Sequence, residues 1–295
     1  TIAIGAQALG ALTTGEGNVA IGFEALDANQ TSDYNTVVGY QSGTNLTSTT
    51  ANSGNTLIGY QSGLTASSGF DYNVALGYKA LYTNNNSANT AIGYLAGEDL
   101  TGQNNVFIGK EAGKNAADVD KCVIIGSNAA LGVLASGADG TIAIGYDSLG
   151  DLVSGGGNVA IGTDAAKLLT TGASNTVVGH QAFDAANLGE EGNVVIGTYA
   201  MGAFVEHSGG GSGVNQNVAI GMNAFTGGAL ASGEVVSNNV AIGYASLDAT
   251  GGEPMTGTTA VGAYSLSALT SGSGNTAVGY QSLDAQTDGN NNTAI

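Results

Sequence analysis

The side chains able to do covalent or metal chemistry are few and scattered. The chain has two histidines, His180 and His207, and one cysteine, Cys122. A zinc site needs three or four His, Cys or carboxylate ligands, usually spaced in close pairs, and neither histidine has such neighbours in sequence. A thiol nucleophile needs a base to draw off its proton, and no histidine pattern accompanies Cys122, which reads as a packed free thiol. The glycine clusters Gly155-Gly156-Gly157 and Gly209-Gly210-Gly211 lack the Gly-Lys-Ser/Thr ending of a phosphate loop and read as turns. Glu190-Glu191 sits in a turn segment and reads as a solubilising pair. The remaining carboxylates follow no nine-residue calcium-binding repeat. The expectation is a protein that is not an enzyme, has no cofactor and has no metal site that can be named.

Composition narrows the classes further. Glycine occurs 50 times in 295 residues, against a usual share of about 7%. Charged residues make up only 9%, all five cations are lysine, and the net charge is −18. Five lysines cannot neutralise a run of phosphates, so nucleic acid is excluded as a partner, and an anionic membrane surface would be repelled. No apolar run approaches the roughly 20 residues of a membrane-spanning helix. With 42% hydrophobic residues the chain is too apolar for a charge-swollen disordered tail.

The elements that must position these residues come from an internal repeat. A motif close to Asn-(Thr/Val)-Ala-Ile-Gly-Tyr-Gln-(Ala/Ser)-Leu recurs around sixteen glycines, from Gly5 and Gly22 through Gly93 to Gly262 and Gly279. A further copy begins at Asn292. The expected architecture is all-β, one continuous parallel β-solenoid (a β-roll) of about 16 rungs over residues 1–295, forming a segment of a longer chain.

Each column of the repeat carries a physical expectation. The residue before the glycine is always Ile, Val or Leu, and the residue three before it is Val, Thr or Ile. Alternation with period two puts these columns on one strand face, expected to be the inner one, with the intervening Ala column forming a smooth outer face. The invariant glycine needs either a positive φ or room for a neighbouring backbone. Runs such as Ala8-Leu9-Gly10-Ala11-Leu12-Thr13 read as a second short strand. Asn four before the glycine, present in twelve of sixteen copies, predicts an amide ladder up the stack. Tyr follows the glycine in seven copies (Tyr40, Tyr60, Tyr78, Tyr94, Tyr146, Tyr244 and Tyr280), giving either a packed aromatic column or a platform for sugars.

The motif Asn-Thr-Ala-Val-Gly-Tyr-Gln-Ser-Leu (275–283), with Asn-Val-Ala-Ile-Gly-Phe-Glu-Ala-Leu (18–26) and Asn-Thr-Ala-Ile-Gly-Tyr-Leu-Ala-Gly (89–97), resembles the repeat region of bacteriophage tail fibres, especially marine ones. It is also similar to the head repeats of YadA-type trimeric autotransporter adhesins, which form a left-handed parallel β-roll. Those heads repeat about every 14 residues, whereas the spacings here run from 16 to 24, which favours the fibre-like group. The resemblance implies a homotrimer, an extracellular place on a virion tail fibre or a bacterial cell surface, and a role in host attachment.

The repeat independently suggests lateral association, since an exposed apolar stripe along a solenoid marks an interface. Three inter-motif segments are long: 44–54, 202–216 and 226–238. Insertions in solenoids gather where recognition occurs, and Phe204, Glu206 and His207 form the candidate receptor-contact loop, for a host surface glycan or protein. The expected function is a non-enzymatic, structural and adhesive fibre segment. A bacterial adhesin head is the near alternative. An ice-binding β-solenoid is the alternative of another class and would require a regular Thr-x-Thr array.

Overall fold

The computed structural model describes residues 1–46, 54–65, 69–205, 213–251 and 253–295. It is an all-β parallel solenoid of sixteen coils, eight in each of two compact units, Thr1–Thr141 and Ile142–Ile295. A single turn of 3-10 helix, Ser136–Ala138, is the only helical element among the described residues, so none of them forms a helix able to cross a membrane.

In the first unit the strands are β1 (Ile2–Ile4), β2 (Val19–Ile21), β3 (Thr36–Val38), β4 (Thr56–Ile58), β5 (Val74–Leu76), β6 (Thr90–Ile92), β7 (Val106–Ile108) and β8 (Val123–Ile125). Each pairs in parallel with the next, motif position against motif position, as in Val19 with Thr36, Ala20 with Val37 and Ile21 with Val38. The second unit continues the pattern with β9 (Ile142–Ile144), β10 (Val159–Ile161), β11 (Thr176–Val178), β12 (Val194–Ile196), β14 (Val218–Ile220), β16 (Val240–Ile242), β18 (Thr259–Val261), β19 (Thr276–Val278) and β20 (Thr293–Ala294). Its longer coils add a three-stranded sheet of β13 (Gly213–Asn215), β15 (Val235–Ser237) and β17 (Met255–Thr256).

Two constraints act at the glycines that end the motif strands. All sixteen have φ between +125° and +147°, a region closed to side chains. A Cβ at Gly22 would also overlap the carbonyl group of Gly39 in the next coil, and the same clash recurs up both stacks, though not at Gly279, where an added Cβ meets nothing within 4 Å.

The run after the glycine forms tight turns, which corrects the expected second strand. Residues two and four beyond the glycine are left-handed, as at Gln7 (φ 58°) and Leu9 (φ 53°) or Lys79 and Leu81, and a left-handed residue interrupts a strand. Backbone amides there alternate between two partners. Gly10 N–H donates to Gln7 O within the turn (3.2 Å), while Leu9 and Ala11 N–H donate to Ala25 O and Asp27 O of the next coil (both 3.0 Å).

The strand faces are also the reverse of the expectation. The central residue points inward: Ala20, Val37, Leu57, Ala75, Ala91, Phe107 and Ile124 are fully or almost fully buried, as are Ala143, Val177, Val195 and Ala219 in the second unit. The aliphatic columns on either side face outward and remain partly exposed. The interior is already filled from the turn side by residues such as Leu26, Leu81, Leu149, Phe183 and Phe225. In so narrow a coil a small residue opposite them is what close packing admits.

Candidate functional site

Buried asparagines hold the coils in register. Asn175 shows the arrangement: its N–H and Nδ2 donate to Asn158 Oδ1 (3.0 and 3.1 Å), Nδ2 also donates to Glu190 O (2.7 Å), and its Oδ1 accepts from Asn193 N and Nδ2 (both 3.0 Å). Comparable bonds join Asn18, Asn35, Asn55 and Asn73. The predicted amide ladder is thus present and satisfies polar groups that would be costly to bury unpaired. Thr1, Cys122, Thr141 and Thr258 stand in the column in place of asparagine. Cys122 and Thr258 still donate their N–H to the preceding asparagine (2.9 Å each), but Thr141 Oγ1 and Thr258 Oγ1 are buried without a partner.

Among the described residues, Cys122, His180 and Glu190 are each held in packing or turn contacts. Cys122 is a buried free thiol whose pKa is pushed up to about 11, chiefly by burial, so it carries almost no thiolate at neutral pH. His180 is exposed and meets the Tyr199 ring edge-on at 5.5 Å. Glu190 corrects the solubilising reading. It is fully buried, and its carboxylate oxygens accept the N–H groups of Asn187 and Leu188 (both 3.0 Å), closing a turn. Burial raises its pKa, opposed by those backbone bonds. Its neighbour Glu191 is exposed.

The candidate receptor loop separates into parts. Phe204 is fully buried, with its ring edge-on to Phe225 at 5.0 Å, so it belongs to the packing of its coil and offers no ring to a receptor. Its apolar bulk fills the interior where Gly227 leaves space for it. Glu206 and His207 lie outside the described residues, as does most of 44–54. Segment 226–238 is partly structured, since β15 pairs on both sides within the small sheet.

The surface features of consequence are the outward columns. In the first unit, Phe23, Tyr40, Tyr60, Tyr78 and Tyr94 stack on consecutive coils, with centroids 5.1–5.4 Å apart and planes within 17°. Stacked rings cover one another's faces, so this column presents edges and suits packing better than sugar stacking. In the second unit, Tyr244, Tyr264 and Tyr280 meet edge-on. Beside each aromatic column runs the aliphatic one, including Ile21 and Leu76 in the first unit and Ile161 and Ile196 in the second, all exposed. What the arrangement can do is present rows of apolar and aromatic groups on a rigid hydrogen-bonded support. No protein-family model matches the chain, and no curated protein matches it either.

Proposed function

We propose that the chain is a non-enzymatic segment of a homotrimeric attachment fibre, a shaft of the bacteriophage tail-fibre kind that reaches a host surface. The observation carrying this reading is the outward aliphatic face. Ile161 and Ile196 are each 38% exposed, although the chain has enough small and polar residues to cover such a face. Repeating rows of exposed Ile and Val favour burial against another copy, and closing three identical faces about one axis covers all of them. The resemblance of the motif to fibre and adhesin repeats supports the same assembly. The ice-binding alternative is disfavoured because the column before the glycine is aliphatic in every copy, which leaves no Thr-x-Thr array.

Sedimentation equilibrium is expected to give three chains per particle, and the fibre is expected to adhere to cells in a bacterial panel. Ile196→Asp would place like charges together at the closed face, and is expected to yield folded single chains. A wild type that remains monomeric at tens of micromolar would refute the trimer.

A further inference from the structure

Two well-exposed tyrosines lie outside the glycine-following column. Tyr34 and Tyr72 are 66% and 70% exposed, each within the same tripeptide, Asp33-Tyr34-Asn35 and Asp71-Tyr72-Asn73. They occupy the corner five residues before the strand-ending glycine. Every residue at that corner is left-handed; elsewhere the corner holds Gly, Asn, Ser, Gln, Ala or Lys, as at Gly17, Gly54, Asn104 and Ser174. A bulky side chain is costly in that conformation. At the turn position of Leu26 or Leu81 the cost is offset by complete burial. Tyr34 and Tyr72 bear it while mostly exposed, as Lys121 and Gln216 do at the same corner.

The support beneath each ring is specific. Four successive coils carry Gly17, Tyr34, Gly54 and Tyr72 at this corner. A Cβ on Gly17 would come within 2.5 Å of Tyr34 Cδ1, and one on Gly54 within 3.0 Å of Tyr72 Cδ1. Each ring therefore lies across the glycine of the coil before it, in space that any side chain would fill. The backbone around Tyr34 is locked on both sides: Tyr34 N–H donates to Glu16 O (2.8 Å) and Gly54 N–H donates to Asp33 O (3.1 Å). Asp33 is fixed beside the ring, its Oδ1 accepting the Glu16 N–H (2.7 Å). One coil intervenes between the two tyrosines, so the rings repeat every two coils, about 10 Å at the usual strand spacing.

We propose that Tyr34 and Tyr72 form a two-ring platform that binds a neutral, β-linked hexose polysaccharide along the coil stack. Sugar C–H faces pack on exposed aromatic rings, which carry negative charge on their faces. A spacing of two coils is close to the disaccharide repeat of an extended β-linked chain, so alternate sugars meet alternate rings. Asp33 and Asp71 directly precede the rings in sequence, and carboxylates are hydrogen-bond acceptors for sugar hydroxyls. With these acids at the platform and −18 on the chain, an anionic polysaccharide would be repelled.

The proposal deepens the attachment reading and rests on it for its biological sense. It is tested by electrophoresis of the whole chain through gels containing mixed-linkage β-glucan, with cellohexaose and cellobiose as soluble competitors and alginate as the anionic control. The wild type is expected to be retarded by the glucan and not by alginate. Cellohexaose, which reaches both rings, should compete at least tenfold better than cellobiose. Tyr34→Asn and Tyr72→Asn should each weaken retardation by roughly tenfold, the loss of one aromatic contact at about 1.4 kcal/mol. Because asparagine accepts the left-handed corner at least as well as tyrosine, the melting temperature should not fall, which separates binding from folding.

Absence of retardation in glucan, retardation by alginate alone, or unchanged retardation of the double variant would each overturn the platform. So would self-association that both substitutions abolish without any glucan binding, since the rings would then serve contact between copies. Cell adhesion by the wild type that survives both substitutions, together with unchanged glucan retardation, overturns the platform and leaves the attachment fibre standing. Glucan binding without adhesion to any cell in the panel supports the platform and counts against the fibre.

Discussion

Most strand-ending glycines are constrained twice, by φ and by the next coil's carbonyl, and the two constraints make a sharp expectation. Gly93 has φ +144° and an added Cβ would strike Gly109, so Gly93→Ala should cost about 3 kcal/mol or more. Gly251 has no left-handed φ and nothing within 4 Å of an added Cβ, so Gly251→Ala should stay within about 0.5 kcal/mol of wild type. Thermal melts followed by circular dichroism compare the two, and equal melting temperatures would refute the constraint. Cys122 offers a second check at this scale. Buried, with its pKa near 11, it should resist iodoacetamide in the folded chain at pH 8 and react fully in denaturant; rapid native labelling would count against its burial. The glycine was legible in sequence because a position that never carries a side chain has few explanations. Glu190 was not, because nothing in an isolated Glu-Glu pair shows which carboxylate turns inward to accept two backbone amides.

Among elements, the length of the repeat, the short strands, their parallel stacking and the asparagine ladder were readable from periodicity, but the direction of the strand was not. Ala alternating with Ile or Val fits a strand facing either way, and burial of the bulkier column is the ordinary expectation. The signal that resolves it is an exchange of volume between the strand centre and the residue four beyond the glycine. Leu57 and Phe107 are accompanied by Gly63 and Gly113, whereas Ala75, Ala143 and Ala219 are accompanied by Leu81, Leu149 and Phe225; Ala91 with Gly97, Ala160 with Ala166, Val177 with Phe183 and Val195 with Met201 are exceptions. A Cβ on Gly113 would come within 2.7 Å of the Phe107 ring, so the two positions share one space. Phe107→Ala should therefore cost about 3–5 kcal/mol through the cavity it leaves, and Gly113→Leu alone should destabilise by overpacking. The double variant should recover much of both losses, since leucine already occupies the left-handed turn position at Leu81 and Leu149 (φ 50° and 51°). Additive losses in denaturant melts would refute the shared space. The ladder gives a stabilising counterpart. Thr258→Asn should supply the missing amide link between Asn239 and Asn275, remove the unpaired hydroxyl, and raise stability by about 1 kcal/mol.

For the whole molecule, partly and fully buried acids and net charge act in one direction with pH. Asp184, Glu190 and Asp248 all have pKa values raised, with burial the largest cause. A raised acid pKa means that the folded chain keeps its proton where the unfolded chain has released it. The stability from these groups is therefore fullest below their unfolded values, 3.8 for Asp and 4.5 for Glu, and is lost as pH rises through the folded values. Over the same range the chain approaches its full charge of −18, and self-repulsion grows. The melting temperature should thus be higher at pH 5 than at pH 8. Salt separates the two causes. Raising ionic strength to about 1 M shortens the screening length to about 3 Å, which relieves repulsion between exposed carboxylates but leaves the desolvation of Glu190 in place. Part of the pH dependence should therefore survive in high salt and shrink in Glu190→Gln, whose amide oxygen can still accept one of the two turn N–H groups. A melting temperature that rises from pH 5 to pH 8, or a slope that salt abolishes and Glu190→Gln leaves unchanged, would show that the buried carboxylate does not govern the molecule's response to pH.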